Sequence, residues 1–123
     1  MAILDSSAII DILSGNGLGI ILRDKYKKEC TKTTTITIHE ILVGTKPEHK
    51  QRVLEYLQTF DILSFDPSSA IKSAEIEQEM MKKGKPLGKL DSFIVAICIT
   101  NGEPLITTDK DFKNVPGLKI LTV

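Results

Sequence analysis

Four acidic residues stand where an α/β chain does its chemistry. Asp5, Glu40, Asp91 and Asp109 each sit at the carboxyl end of a strand-like run or in the first turn of a helix-like one. If the strands are parallel, those places share one rim, and in open α/β sheets that rim is the crevice where ligands bind. Two carboxylates about 4 Å apart repel by about 4 kcal/mol at an effective dielectric near 20, so four gathered together oppose folding unless a cation joins them. Oxygen-only ligands favour Mg²⁺ or Mn²⁺ over zinc. His39 and His49 form no metal-binding pair, and His39 is expected to pack or hydrogen-bond beside Glu40. A plainer reading stands beside each acid. Asp5 or Ser6 suits a helix N-cap, worth about 1 kcal/mol, and Thr37-Ile38-His39-Glu40 has the S/T-x-x-E form of a capping box.

The elements that must position these acids alternate along the chain. Ala2-Ile3-Leu4 reads as a buried strand delivering Asp5 to a helix over Ala8–Leu13, and Ser14-Gly15-Asn16-Gly17 is a turn. Leu18, Ile21, Leu22 and Tyr26 recur at helical spacing, in a second helix ending near Lys27-Lys28-Glu29. Thr31–Ile36 is β-rich, a second strand whose far end delivers Glu40 to a short helix closed by Val43-Gly44. Lys46-Pro47-Glu48 opens another helix, with Val53, Leu54, Leu57 and Phe60 as its apolar stripe. Ile62–Phe65 is a third strand. Asp66-Pro67 then pairs an N-cap with proline at the first helical position, so Asp66 is assigned to capping. The helix that follows, to about Lys83, is expected to turn Ala70, Ile71, Ala74 and Met81 inward. A basic loop leads into Asp91-Ser92 and the apolar run Phe93–Ile99, which with Asn101-Gly102 behind it reads as a buried helix. Pro104–Thr107 is a strand ending on Asp109, and Leu118–Val123 is the last strand. Strands alternating with helices make a parallel sheet covered on both faces the economical architecture.

Composition narrows the rest. At 123 residues the chain is a single domain, 1–123, able to bury a real core. Sixteen basic residues balance sixteen acidic ones, so any nucleic-acid binding must come from a local patch. Lys82, Lys83, Lys85 and Lys89 lead into Asp91, and Lys110 follows Asp109, which makes these lysines the candidates for phosphate contacts. Cys30 and Cys98 make neither a metal-ligand spacing nor a disulfide framework, which fits a reducing cytoplasm, and Cys98 reads as a small buried hydrophobe. The N-terminus lacks a basic segment, and Asp5 and Asp11 interrupt its apolar run, against a signal peptide. Phe93–Ile99 is far shorter than the roughly 18 residues of a membrane span.

In order and spacing, the opening Ile-Leu-Asp-Ser-Ser, the isolated Glu40, Lys89-Leu90-Asp91-Ser92-Phe93-Ile94-Val95-Ala96 and Leu105-Ile106-Thr107-Thr108-Asp109-Lys110-Asp111-Phe112 resemble the PIN-domain ribonucleases, specifically the VapC toxins of VapBC toxin–antitoxin pairs. The resemblance implies a three-layer α/β/α domain with a central parallel sheet of about four or five strands, and an endoribonuclease dependent on Mg²⁺ or Mn²⁺. Asp5, Glu40, Asp91 and Asp109 would hold the metal, Ser7 and Thr107 would support them, and Asp111 would be an outer ligand. Water activated by the metal would cut the phosphodiester, leaving a 5′ phosphate and a 3′ hydroxyl. The resemblance also implies a homodimer and a small antitoxin whose tail fills the acidic groove.

Two rival readings are open. A response-regulator receiver domain has similar size and a Mg²⁺-binding acidic pocket, and Asp66 would mimic its phosphoacceptor. Asp5-Ser6-Ser7 and Leu118-Lys119-Ile120 supply neither the acid pair nor the lysine-proline step that a receiver needs. The other rival is a catalytically silent PIN-like binding module, which sits badly with the presence of all four acids.

Overall fold

A computed structural model of the chain describes residues 2–27 and 32–121. Among these residues five short strands, β1 (Ile3–Leu4), β2 (Lys32–Thr34), β3 (Asp61–Leu63), β4 (Leu105–Ile106) and β5 (Ile120–Leu121), form a sheet in the order β3-β2-β1-β4-β5. Every pairing is parallel, with Ile3 opposite both Lys32 and Leu105 and Leu4 opposite Ile106. The chain winds outward from β1 to β3, then returns to the other side of β1 for β4 and β5. The strand order therefore reverses between β1 and β4, and a crevice opens at their carboxyl ends. A receiver-type sheet runs 2-1-3-4-5 instead, which sets the receiver reading aside.

Among the described residues six helices cover the sheet: α1 (Ser6–Ser14), α2 (Gly17–Lys25), α3 (Thr35–Val43), α4 (Lys50–Leu57), α5 (Pro67–Lys82) and α6 (Lys89–Thr100). Side chains alternate across a strand, so neighbours serve opposite cores. Ile3 and Leu105 pack with Ile76, Met80 and Ile94–Cys98 of α5 and α6, while Leu4 and Ile106 pack with Ile9, Leu22, Ile41, Val53 and Leu57 of α1–α4. This is the α/β/α sandwich expected. Helix α6 is buried along its middle, and Cys98 is a fully buried free thiol whose pKa is pushed up by desolvation, which keeps it protonated.

Several element boundaries differ from expectation for local reasons. Thr34 Oγ1 accepts the Thr37 N–H at 3.0 Å, so Thr34 and not Thr37 caps α3. The helix begins at Thr35, and Thr35 and Ile36 leave the strand assigned to them. Glu40 consequently lies in the second turn, beyond any capping box. Residues Lys28, Glu29, Cys30, Thr31, Thr122 and Val123, which carried parts of the predicted second helix, second strand and last strand, lie outside the described residues. Pro47–His49 forms a 3-10 turn before α4, and β3 ends at Leu63 instead of Phe65. Asp66 caps α5 as expected, accepting the Ser69 N–H at 2.8 Å.

The inward face of α5 is the clearest correction. Ser69, Ser73, Ile76 and Met80 are buried, whereas Ala70 and Ala74 are exposed and Ile71 and Met81 stand 67% and 69% exposed. The two serines are accommodated because their hydroxyls are satisfied. Ser73 donates to the Ala70 carbonyl at 2.8 Å, and Ser69 shares a 3.1 Å hydrogen bond with Thr100 of α6. On α2, likewise, Leu22 is buried but Leu18 and Ile21 face outward.

The turn between α1 and α2 brings the two helices very close. Gly15 takes the left-handed conformation (φ 68°), Asn16 caps α2 by accepting the Gly19 N–H at 2.7 Å, and Gly19 lies directly against the backbone of Asp11. A Cβ at Gly19 would overlap the Asp11 carbonyl. Gly19→Ala should therefore cost about 1–3 kcal/mol, the range typical of overpacking. It would be read as a lower denaturation midpoint at constant m.

Candidate active site

Asp5 leaves β1 at the strand reversal and is only 1% exposed. Its Oδ1 accepts the Ala8 N–H at 2.9 Å and the Ser7 hydroxyl at 2.8 Å, and its Oδ2 accepts the Thr107 hydroxyl. Asp5 thus caps α1 and faces the crevice at once, so the two readings of this residue coexist. Burial raises its pKa above the ordinary carboxylate value, its hydrogen bonds oppose the rise, and the charge of Asp109 adds to it.

Ser7 and Thr107 bind the β1 and β4 ends to each other. Each gives its one hydroxyl proton to Asp5 and accepts a backbone N–H from the loop after β4, Thr108 N on Ser7 at 3.1 Å and Asp109 N on Thr107 at 2.9 Å. A further tie comes from Asp11, whose carboxylate accepts the Thr108 hydroxyl at 3.0 Å and the Asn16 side-chain amide at 3.1 Å. Sequence reasoning used Asp11 only as an interruption of an apolar run. A lone acid amid apolar helix residues was the available signal for this second role.

The remaining acids approach from three other segments. Glu40 reaches over from α3 to accept the Ser6 hydroxyl at 3.4 Å, and its pKa is raised by burial and by Asp5 against the pull of Ser6 and His39. His39 itself is exposed, and among the described residues no hydrogen bond joins it to Glu40, on which it acts through its charge. Asp91 lies in the first turn of α6. Burial, then Glu40, Asp109, Asp5 and Asp111 in that order, lift its pKa to about 6. Asp109 caps a 3-10 turn over Lys110–Phe112 by accepting the Asp111 N–H at 2.9 Å. That turn carries Asp111 back to the others: carboxylate oxygens of Asp91, Asp109 and Asp111 all lie within 4.8 Å of one another. Asp5 and Glu40 stand outside that tight trio but within its electrostatic reach.

No lysine or arginine among the described residues forms an ion pair with any of these five carboxylates. An all-oxygen set of unpaired acids is the donor chemistry that a hard divalent cation requires, so the residues fit Mg²⁺ or Mn²⁺. The candidate phosphate-binding lysines divide into two groups. Lys83 and Lys89 are engaged by Glu79 and Glu77 at 3.7 and 3.5 Å, whereas Lys82, Lys85 and Lys110 have no ion pair among the described residues.

The raised pKa of Asp91 has a consequence for stability. The folded chain holds that proton up to about pH 6, while the unfolded chain releases it near 3.8. Stability from this group is full below the unfolded value, falls as pH rises through the window from about 4 to 6, and is level above it. Asp5 and Glu40 act in the same direction, while Asp66, lowered by the Ser69 N–H, acts oppositely and only in more acid solution. Metal-free protein should accordingly melt higher at pH 5 than at pH 7. Saturating Mg²⁺, which requires the ionised carboxylates, should close the difference.

A profile of the PIN domain family matches residues 2–118 of the chain. Over 97 residues the chain is 34% identical to a ribonuclease VapC of Rickettsia bellii, covering 72% of each. It is 28% identical over 107 residues to a tRNA(fMet)-specific endonuclease VapC of Salmonella typhimurium, covering 80% of this chain and 81% of that one. The fold superposes on a chain of a toxin-antitoxin complex from Klebsiella pneumoniae with a TM-score of 0.82 and 28% identity, over 99% of this chain and 97% of that one.

Proposed function

The chain belongs to the PIN domain family, as a nuclease of its VapC type, and we propose that it is a Mg²⁺- or Mn²⁺-dependent endoribonuclease acting as the toxin of a type II toxin–antitoxin pair. The observation that carries this reading is the convergence of Asp5, Glu40, Asp91, Asp109 and Asp111, with no lysine or arginine among the described residues ion-paired to them. In this proposal Asp91, Asp109 and Asp111 hold the cation, with Asp5 and Glu40 completing the acidic wall. A divalent ion there supplies a lowered pKa for water and compensation of the charge that builds on a phosphate under attack. Ser7 and Thr107 donate to Asp5, which favours its ionised form against burial, and through their contacts with Thr108 N and Asp109 N they fix the β4 loop. No side-chain nucleophile is required. Lys82, Lys85 and Lys110 offset the repulsion between the acids and the RNA backbone.

The partner assignment has support of its own. Ile10, Leu13, Ile20 and Ile21 leave an apolar surface exposed on α1 and α2, suited to an apolar segment of a small antitoxin. A homodimer is proposed through the exposed Ile71 and Met81 of α5. No described helix is long and apolar enough to cross a membrane, and the free thiol of Cys98 agrees with a cytoplasmic site of action.

The test is incubation of the purified chain with single-stranded RNA, with Mg²⁺ or Mn²⁺ and with a chelator. Cleavage that needs the metal and leaves 5′ phosphate and 3′ hydroxyl ends is expected. Cleavage insensitive to the chelator, or 2′,3′-cyclic phosphate ends, would contradict the proposal.

A further inference from the structure

Two clefts flank the acidic trio and share a wall. One, of about 470 Å³, lies toward β5 and is lined by Leu18, Thr108, Asp109, Lys110, Lys113 and Ile120. The other, of about 280 Å³, lies toward the loop before α6 and is lined by Lys85, Pro86, Leu87, Gly88, Asp111 and Lys113. Asp109 and Asp111 are therefore both members of the trio and walls of the clefts, one on each side. Among the described lysines Lys113 alone borders both. It is exposed, it has no ion pair among the described residues, and its N–H donates to the Lys110 carbonyl at 3.0 Å, which fixes its backbone to the turn carrying Asp111.

We infer that Lys113 is a phosphate-binding residue at the crossing point of a single-stranded RNA track that runs through both clefts, with one unstacked nucleotide seated between Leu18 and Ile120 beside the scissile phosphate. This rests on the nuclease reading above. A polyanion led across Asp91, Asp109 and Asp111 needs cations on both sides of them. Lys110 and Lys113 supply that charge in the larger cleft, and Lys85 and Lys113 in the smaller, whereas Lys83 and Lys89 line neither cleft and lie beside glutamates. The larger cleft has the size of a small-ligand site. Its mixture of two aliphatic side chains, two threonines and two lysines around Asp109 suits a base with its phosphate, because RNA is read chiefly through single-stranded bases splayed out of the stack. Charge complementarity and continuity with Asp109 favour RNA over a peptide as the occupant.

The test compares wild type with Lys113→Ala, Lys113→Arg, Leu18→Ala and, as a distant control, Lys72→Ala, in Mg²⁺-dependent cleavage of short single-stranded oligoribonucleotides. Lys113→Ala should raise KM roughly tenfold, the worth of one charge-assisted contact, with kcat little changed. It should also flatten the dependence of log affinity on log salt by about 0.7. Lys113→Arg should recover most of the affinity, and Lys72→Ala should match wild type. Leu18→Ala should alter the relative rates among substrates that differ only in the nucleotide next to the cut. Active wild type with an unchanged KM and salt slope in Lys113→Ala would overturn this inference alone. So would weakened binding of a protein partner with RNA kinetics intact, since the cleft would then serve that partner. Wild type inert with metal would overturn the nuclease reading and this one with it.

Discussion

Asp91→Asn is expected to lower metal-dependent RNA cleavage by on the order of 10³-fold, the scale of losing one electrostatic group aimed at developing charge, while leaving the metal-free chain folded and at pH 7 no less stable than wild type. The activity loss follows because Asp91 is common to the tight trio and to the repulsion field of all the other acids. The retained stability follows from the same facts. Its ionised form at pH 7 is held against desolvation and against Glu40, Asp109, Asp5 and Asp111, and an amide feels none of that repulsion. Asp5→Asn should behave differently. Its carboxylate accepts from Ala8 N, Ser7 and Thr107, and an amide retains one acceptor oxygen, so a loss of about 1–3 kcal/mol should accompany the loss of activity. Thermal melts beside cleavage rates distinguish the two mutants. A destabilised, inactive Asp91→Asn would mean that Asp91 is structural.

The second large effect is metal-linked stability. Carboxylate oxygens within 4.8 Å of one another, with no basic partner among the described residues, repel at neutral pH. A cation that binds only the folded chain relieves this. At about 100 times its Kd it should add about 2.7 kcal/mol. For a domain of this size that is roughly 10 °C in Tm. Ca²⁺ and Mg²⁺ should both stabilise, monovalent salt at equal ionic strength should do much less, and Asp91→Asn should lose most of the shift. A melt indifferent to divalent ions would remove the reason for these acids to be together.

How much of this was legible in the sequence varies with the kind of signal. Asp5, Asp91 and Asp109 lie at the expected rim because each ends or begins an element with an apolar run, the helix after Asp91 being told from a strand by its end signals and not by periodicity, and Asp66-Pro67 states its own cap. Glu40 was placed at the right rim but in the wrong turn. Thr34 and Thr37 are equally good caps by type, and the choice between them is made by where β2 ends against β1 and β3, a tertiary fact. The inward face of α5 was misjudged because alanine and isoleucine outrank serine in any apolar count. Packing against α6 instead selects the small hydroxyl residues, whose polar atoms find partners within the helices. Asp111, expected at the margin, lies in the trio because Asp109 caps a single 3-10 turn, and so short a turn leaves no pattern. Asp11 and Lys113 act through groups from distant segments, and contact across the chain is what single-sequence periodicity does not carry.

The most direct test of the central claim, that these acids are gathered to hold a divalent ion, is anomalous diffraction from crystals of the chain grown with Mn²⁺. Manganese bound by carboxylate oxygens of Asp91, Asp109 and Asp111, with Asp5 and Glu40 beside it, is expected in the wild-type crystals, and no such peak in Asp91→Asn. A wild-type crevice without manganese, at a concentration where RNA cleavage is saturated, would contradict it.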